Sequence, residues 1–166
     1  MKRVLIIGNG VSGINVANNL RKSDKGIEIE IFTDESYHYY PRPKLIDLLA
    51  DKITLEEIFF YRESWYRENN INVNLRSPVN EILPDEKMIV LADGKTFTYD
   101  VLVLANGTKP SLPPIDGVDK SGVFSIRWLD DVLNLKERVK KSGEVVVIGG
   151  GLLGLEIASA IQSSGV

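Results

Sequence analysis

The chain contains no cysteine. That excludes disulfide scaffolds, thiolate metal centres and any thiol nucleophile or thiol relay within these residues, and it fits a reducing, cytoplasmic setting. Histidine is almost as scarce: His38 stands alone, so a metal site built on imidazole ligands is not expected. Positive charge is not in excess either. Lys and Arg number 20 against 23 Asp and Glu, for a net charge of −3 and a pI near 5.3, which leaves no electrostatic footprint for nucleic acid. Long apolar runs are missing. Stretches such as "VLVLA" and "VVVI" are far too short to span a bilayer, so no membrane partner is expected. Met1-Lys2-Arg3 leads straight into an apolar strand pattern, without the layout of a signal peptide. With 166 residues, 43% of them hydrophobic, the chain can bury one ordinary core and part of a second unit.

What is present is glycine at a fixed spacing, twice. Gly8, Gly10 and Gly13 match GxGxxG. They lie between the branched apolar run Val4–Ile7 and an amphipathic helix expected over about Val11–Lys22. The alternating "IEIEIF" that follows suits a second strand ending near Thr33. Residues 2–33 therefore read as strand, turn, helix and strand. Gly8 permits the tight turn, Gly10 lets a pyrophosphate approach the backbone, and Gly13 lets helix and sheet pack closely. The helix start, at Val11 and Ser12, offers unpaired N–H groups and a partial positive charge to phosphates. Such a unit also needs an acid about 20 positions on to hold ribose hydroxyls. Asp34 lies 21 residues after Gly13 and is the first choice; Glu35, beside it, is the second.

Between the two glycine clusters the chain is a series of short elements. The loop "TDESYHYYPRPK" carries three tyrosines and two prolines, the composition of a packed, functional loop rather than a loose one. Helices are expected over Lys44–Leu49 and Glu63–Asn69, with Trp65 in the core and His38 as a loop residue rather than a base. "INVNL" reads as a strand. "VNEILPDEKMIVLADGKTFTYD" reads as a meander with turns at Pro84-Asp85 and Asp93-Gly94. "DVLVLANG" is another buried strand ending in a glycine turn. "PSLPPIDGVDKSG" is a linker, and "IRWLDDVLNLKERVKKS" a solvated amphipathic helix with its cations late. The second cluster, Gly149, Gly151 and Gly154 with Gly150 besides, follows "EVVVI" and opens a helix, but no second strand or acid comes after it. Two nucleotide sites in one chain point to an enzyme that passes electrons between two cofactors.

In order along the chain, "GNGVSG", the acid after the second strand, "YYPRPKL", "YDVLVLANGTKP" followed by "PIDG", and "VVVIGGGLLGLEIA" resemble the N-terminal part of the FAD- and NAD(P)H-dependent pyridine nucleotide oxidoreductases. The resemblance implies an α/β fold. Residues 1–112 would be the first segment of a Rossmann-like FAD-binding domain with a β-meander. Residues 113–166 would be a linker and the incomplete start of a Rossmann-like NAD(P)H-binding domain. It also implies that the first cluster binds FAD and that the second, with Gly149, Gly151, Leu153 and Gly154, takes NAD(P)H as co-substrate. Ala105-Asn106-Gly107 resembles the family's "ATG" motif, with Asn106 in place of threonine, and would lie close to the flavin nucleotide, as would Val79.

The loop Tyr40–Leu45 resembles the "Y-x-R-P-x-L" loop of the rubredoxin reductase, ferredoxin reductase and nitrite-reductase-like branch. That implies a flavin-facing Arg42 beside Pro43, and electrons leaving for an acceptor protein, a nitrite-reductase-type centre or oxygen. Part of that branch has a lysine five residues after the arginine, paired with the glutamate of the second glycine motif. Here that position is Asp47, so Glu156 lacks its usual partner, and Lys44 is the nearest substitute. No side chain is expected as a nucleophile. The family completes its FAD domain with a late Gly-Asp pair, which is absent here; the expectation is the front part of a longer enzyme. An unfinished unit at 144–166 would then be ordered by a second copy, making the chain a homo-oligomer. The alternative is a nucleotide-binding module without turnover.

Overall fold

A computed structural model describes residues 2–163. In chain order the elements are β1 (Arg3–Ile7), α1 (Val11–Ser23), β2 (Glu28–Phe32), α2 (Lys44–Leu49), α3 (Glu63–Glu68), β3 (Ile71–Asn74), β4 (Val79–Leu83), β5 (Met88–Leu91), β6 (Thr96–Thr98), β7 (Val101–Leu104), α4 (Leu129–Val139) and α5 (Leu152–Ser163). A 3₁₀ turn spans Glu56–Ile58. The chain forms two compact units, one of Met1–Tyr40 with Phe59–Gly107, the other of Pro41–Ile58 with Thr108–Val166. No described helix is long and apolar enough to cross a membrane.

The first unit is built on a four-stranded parallel sheet in the order β3-β2-β1-β7. Its central strands β1 and β2 are buried on both faces, as parallel strands are, whereas β7, expected to be buried, is an edge strand that leaves Val101 and Leu104 37% and 61% exposed. Val4, Ile6, Ile29 and Ile31 pack on one face with Ile14 and Ala17 of α1 and with Tyr66. Leu5 and Phe32 pack on the other with Ile89 and Leu91 of the antiparallel meander β4-β5-β6, where Phe32 meets Phe97 edge-on at 4.8 Å. The alternation of "IEIEIF" brings Glu30 into that second face. It is almost wholly buried but bonded to Arg3 at 2.5 Å and to Asn72 and Asn74 at 3.3 Å, so its charge is satisfied.

Arg21 is a second buried charge. At the C-terminal end of α1 it donates to the carbonyls of Lys25 and Ile27, both at 2.7 Å, and of Asn69 and Asn70 at 2.7 and 2.9 Å. A cation there complements the helix dipole and ties the helix end to the α3–β3 turn. Trp65 is only partly buried, stacked on Tyr61 at 3.7 Å, and its neighbour Tyr66 is the true core residue.

In the second unit, α4 buries Leu129, Val132, Leu135 and Val139, so it is a core helix rather than only a solvated cover. Its start is fixed by the Asp131 carboxylate, which accepts from the N–H groups of Arg127 and Trp128 at 2.9 and 2.8 Å. Lys136 donates to the Leu48 carbonyl at 2.7 Å and to Asp51 at 2.5 Å, joining α4 to the end of α2. The strand expected at Val145–Ile148 is not a strand. A strand exists only as a ladder with a neighbour, and these residues pair with no described segment. Val146 and Ile148 are consequently 86% and 74% exposed. The expected helix does form as α5, but buries only Ala160 and Ile161. Residues 164–166 of the expected terminal unit lie outside the described residues.

Candidate functional site

The C-terminal ends of β1, β2 and β7 converge in the first unit, where open α/β sheets hold their ligands. β1 ends at Ile7, and Gly8 follows in the left-handed region at φ +107°. Its N–H bonds Phe32 O at 2.8 Å, and Ala105 N–H bonds Ile7 O at 2.8 Å. A Cβ at Gly8 would lie 2.2 Å from the Ala105 carbonyl oxygen, and one at Gly13 would lie 2.0 Å from the Gly8 carbonyl oxygen. Both positions are closed to any side chain. Gly10 differs: a Cβ there would meet nothing within 4 Å. The turn is thus tight on its protein side and open on its outer side.

α1 begins at that open side. Gly10 is its N-cap, without a side-chain cap and without an acid in the first turn. The amides of Val11, Ser12 and Gly13 have no intrahelical acceptor and carry the positive end of the helix dipole. Asn9, which sequence reasoning passed over, is 8% exposed, and its Oδ1 is buried without a hydrogen-bond partner. Buried polar atoms are nearly always satisfied; this acceptor lacks a partner, as His38 Nδ1 and Arg127 Nε do elsewhere among the described residues. Its only signal in the sequence was a polar residue at a variable position of the motif.

The two candidate acids stand at the end of β2 in different settings. Asp34 is exposed and makes no hydrogen bond or ion pair among the described residues. Glu35 is half-buried; its N–H bonds Thr33 Oγ1 at 3.3 Å, and its carboxylate accepts from the hydroxyl of the buried Tyr40. Val79 opens β4 opposite Leu91, partly buried against the second-face core. Asn106 and Gly107 are exposed beside Ala105, at the mouth of the glycine turn. His38 stacks on Tyr66 at 4.4 Å. Burial holds the imidazole below its usual pKa despite the nearby Glu63 carboxylate, and burial pushes the Tyr66 phenol up to about 12. Both are packing residues at neutral pH. No cluster able to hold a metal ion occurs among the described residues.

In the second unit, Arg42 is half-buried and Pro43 exposed at the start of α2. The proposed Lys44–Glu156 pair is not formed. Lys44 Nζ instead donates to the Glu57 carbonyl at 2.8 Å, which lies within reach on the 3₁₀ turn, while Glu156 is exposed on α5. The second glycine turn repeats the first: Gly149 has φ +116°, a Cβ at Gly154 would lie 2.2 Å from Gly149 O, and one at Gly151 would meet nothing within 4 Å. Leu153 is exposed on the first turn of α5.

A family model described as pyridine nucleotide-disulphide oxidoreductase matches residues 2–166. A rubredoxin-NAD(+) reductase of Ectopseudomonas oleovorans is 35% identical over 98% of this chain and 42% of its own. The chain therefore spans well under half of that relative's length. The crystal structure of NADH:rubredoxin oxidoreductase from Clostridium acetobutylicum superposes with a TM-score of 0.89 at 31% identity, over 98% of this chain and 42% of that one. A ferredoxin reductase from Rhodopseudomonas palustris gives a TM-score of 0.92 at 29% identity, over 100% of this chain and 41% of that one.

Proposed function

The chain belongs to the pyridine nucleotide-disulphide oxidoreductase family, and from that premise we propose that its first glycine turn holds the pyrophosphate of FAD in a protein that passes electrons from NAD(P)H to an acceptor. The observation that carries the site is the contrast within the turn. Gly8 and Gly13 are closed by backbone at 2.2 and 2.0 Å, whereas Gly10 faces open space. Packing alone explains the first two glycines; the third, the N-cap of α1, leaves the backbone open to an approaching group.

The roles of the surrounding residues follow from charge and position. The amides of Val11, Ser12 and Gly13 neutralise phosphate. Asn9 offers the buried end of its amide. Of the two acids, Glu35 rather than Asp34 takes the ribose hydroxyls, because a carboxylate already held in place binds without first losing its own freedom. Ala105, Asn106, Gly107 and Val79 line the nucleotide, and Arg42 with Pro43 faces the flavin. Gly149, Gly151, Leu153 and Gly154 receive NAD(P)H. FAD, when bound, supplies the redox chemistry, and the protein supplies binding, orientation and electrostatics. No cysteine lies in these residues to relay electrons.

The functional division falls at 1–112 for the FAD segment and 113–166 for the linker and start of the NAD(P)H segment. The acceptor is a small iron protein such as a rubredoxin or ferredoxin, a nitrite-reductase-type centre, or oxygen. The setting is cytoplasmic, and the exposed 145–148 segment favours a homo-oligomer.

Titration with FAD and with ADP, followed by NADH addition under the absorbance of bound flavin, tests the reading. Both ligands bind, and the yellow colour bleaches. A protein that binds only ADP and stays colourless is a nucleotide-binding module without turnover; one that binds neither removes the site.

A further inference from the structure

We propose that Tyr40 is a positioning residue for the ribose-binding carboxylate: its buried hydroxyl sets the orientation of Glu35 and thereby the protein's preference for ligands that carry ribose hydroxyls. The proposal rests on the reading of the first glycine turn as a dinucleotide site, and deepens it.

Tyr40 is 4% exposed, and its hydroxyl donates to Glu35 Oε2. A hydrogen bond to an ionised acceptor is stronger and more directional than one between neutral groups. The main chain beneath Glu35 is fixed independently. Thr33 N–H bonds Asn74 O at 3.1 Å, Ser77 N–H bonds Thr33 O at 2.7 Å, and Arg76 N–H bonds Glu35 O at 3.0 Å. Arg76 also donates from Nε to Ser36 Oγ at 2.9 Å. To do so it sits at φ +50°, a region non-glycine residues seldom occupy. The segment after β2 is therefore woven onto the segment after β3, and the Tyr40 hydroxyl holds one carboxylate oxygen of the side chain that this weave carries. A tyrosine needed only for packing would be replaced by phenylalanine without consequence for any ligand. A tyrosine that aims a carboxylate affects only ligands which that carboxylate touches.

The test compares ADP with 2′,3′-dideoxy-ADP, which keeps adenine and pyrophosphate and lacks the ribose hydroxyls. Both are titrated into the wild-type chain, Tyr40→Phe, Glu35→Gln and the double variant, with thermal unfolding to confirm that each is folded. Tyr40→Phe weakens ADP by about three- to tenfold, the scale of one net hydrogen bond, and leaves dideoxy-ADP unchanged. Glu35→Gln abolishes the preference for ADP, and adding Tyr40→Phe to it changes nothing further. Equal loss for both ligands in Tyr40→Phe, or no loss for either, overturns the positioning role. A wild-type preference surviving in Glu35→Gln overturns it independently, even if Tyr40→Phe fails to fold. A wild-type chain that binds ADP with none of these effects loses only the role of Tyr40, whereas one that binds neither nucleotide loses the dinucleotide site as well.

Discussion

Gly8 and Gly149 hold the same place in two copies of one local motif, and both adopt left-handed backbone, at φ +107° and +116°. Their surroundings differ. A side chain at Gly8 would run into the Ala105 carbonyl at 2.2 Å, whereas one at Gly149 would meet nothing within 4 Å. The strand before Gly8 pairs on both edges, with β2 and β7; the segment before Gly149 pairs with no described strand. The turn itself is the same in both. Six residues suffice to write a glycine turn into a helix, because its bonds are local: Ile14 N–H reaches Gly10 O at 3.0 Å, and Leu155 N–H reaches Gly151 O at 3.1 Å. A sheet cannot be written locally, and among the described residues only the first turn has one around it.

The largest effect that could break this comparison is the alanine pair. Gly8→Ala combines left-handed strain with a collision against backbone, and should destabilise the first unit by about 3–5 kcal/mol. Gly149→Ala carries only the strain, about 1–2 kcal/mol. Urea unfolding of the two variants measures both. Equal losses would mean that the second turn is as tightly enclosed as the first.

Next in size is the effect on binding at the open glycines. Gly10→Val should abolish FAD binding while unfolding changes by about 1 kcal/mol or less, since the new side chain meets solvent-side space rather than protein. Gly151→Val should leave FAD affinity at its wild-type value. Calorimetric titration of both with FAD settles which turn is the flavin site: loss of FAD binding in Gly151→Val would move the site to the second turn.

The smallest effect sharpens the contrast between the two preceding segments. Replacing Val146 and Ile148 together by Lys should alter stability by about 0.5 kcal/mol at most, as exposed positions do. It should also convert an oligomeric chain into a monomer by light scattering, because charge opposes association through an exposed apolar segment. A destabilisation of core size would show that these residues are covered after all.

Much of the first unit was legible in the sequence because its signals are short-range and mutually consistent. Branched apolar runs, GxGxxG, a 3.6-residue period and turn pairs such as Asp93-Gly94 each name one conformation. The misreadings share a cause. Val145–Ile148 has the composition of a strand, yet composition cannot supply a neighbour. Sequence order makes Lys44 the nearest cation for Glu156, whereas the fold sets the Glu57 carbonyl 2.8 Å from its Nζ. Asn9 occupies a position the motif leaves variable, and only the fold shows its Oδ1 buried and unpartnered. The bond between Tyr40 and Glu35 crosses a loop with no periodicity to reveal it.

The sequence by itself determined the two glycine turns, the helices that follow them, the alternation that buries both faces of β1 and β2, and the family. All of these depend on residues a few positions apart, whose conformations are restricted before any distant contact forms. Tertiary structure alone decided which turn is enclosed, which of two adjacent acids is held, and which apolar run becomes a strand. Each of those depends on a partner remote in the chain, as Ala105 is from Gly8 and Arg76 is from Glu35, and the closing of such loops is set by the packing of the whole unit rather than by local preference.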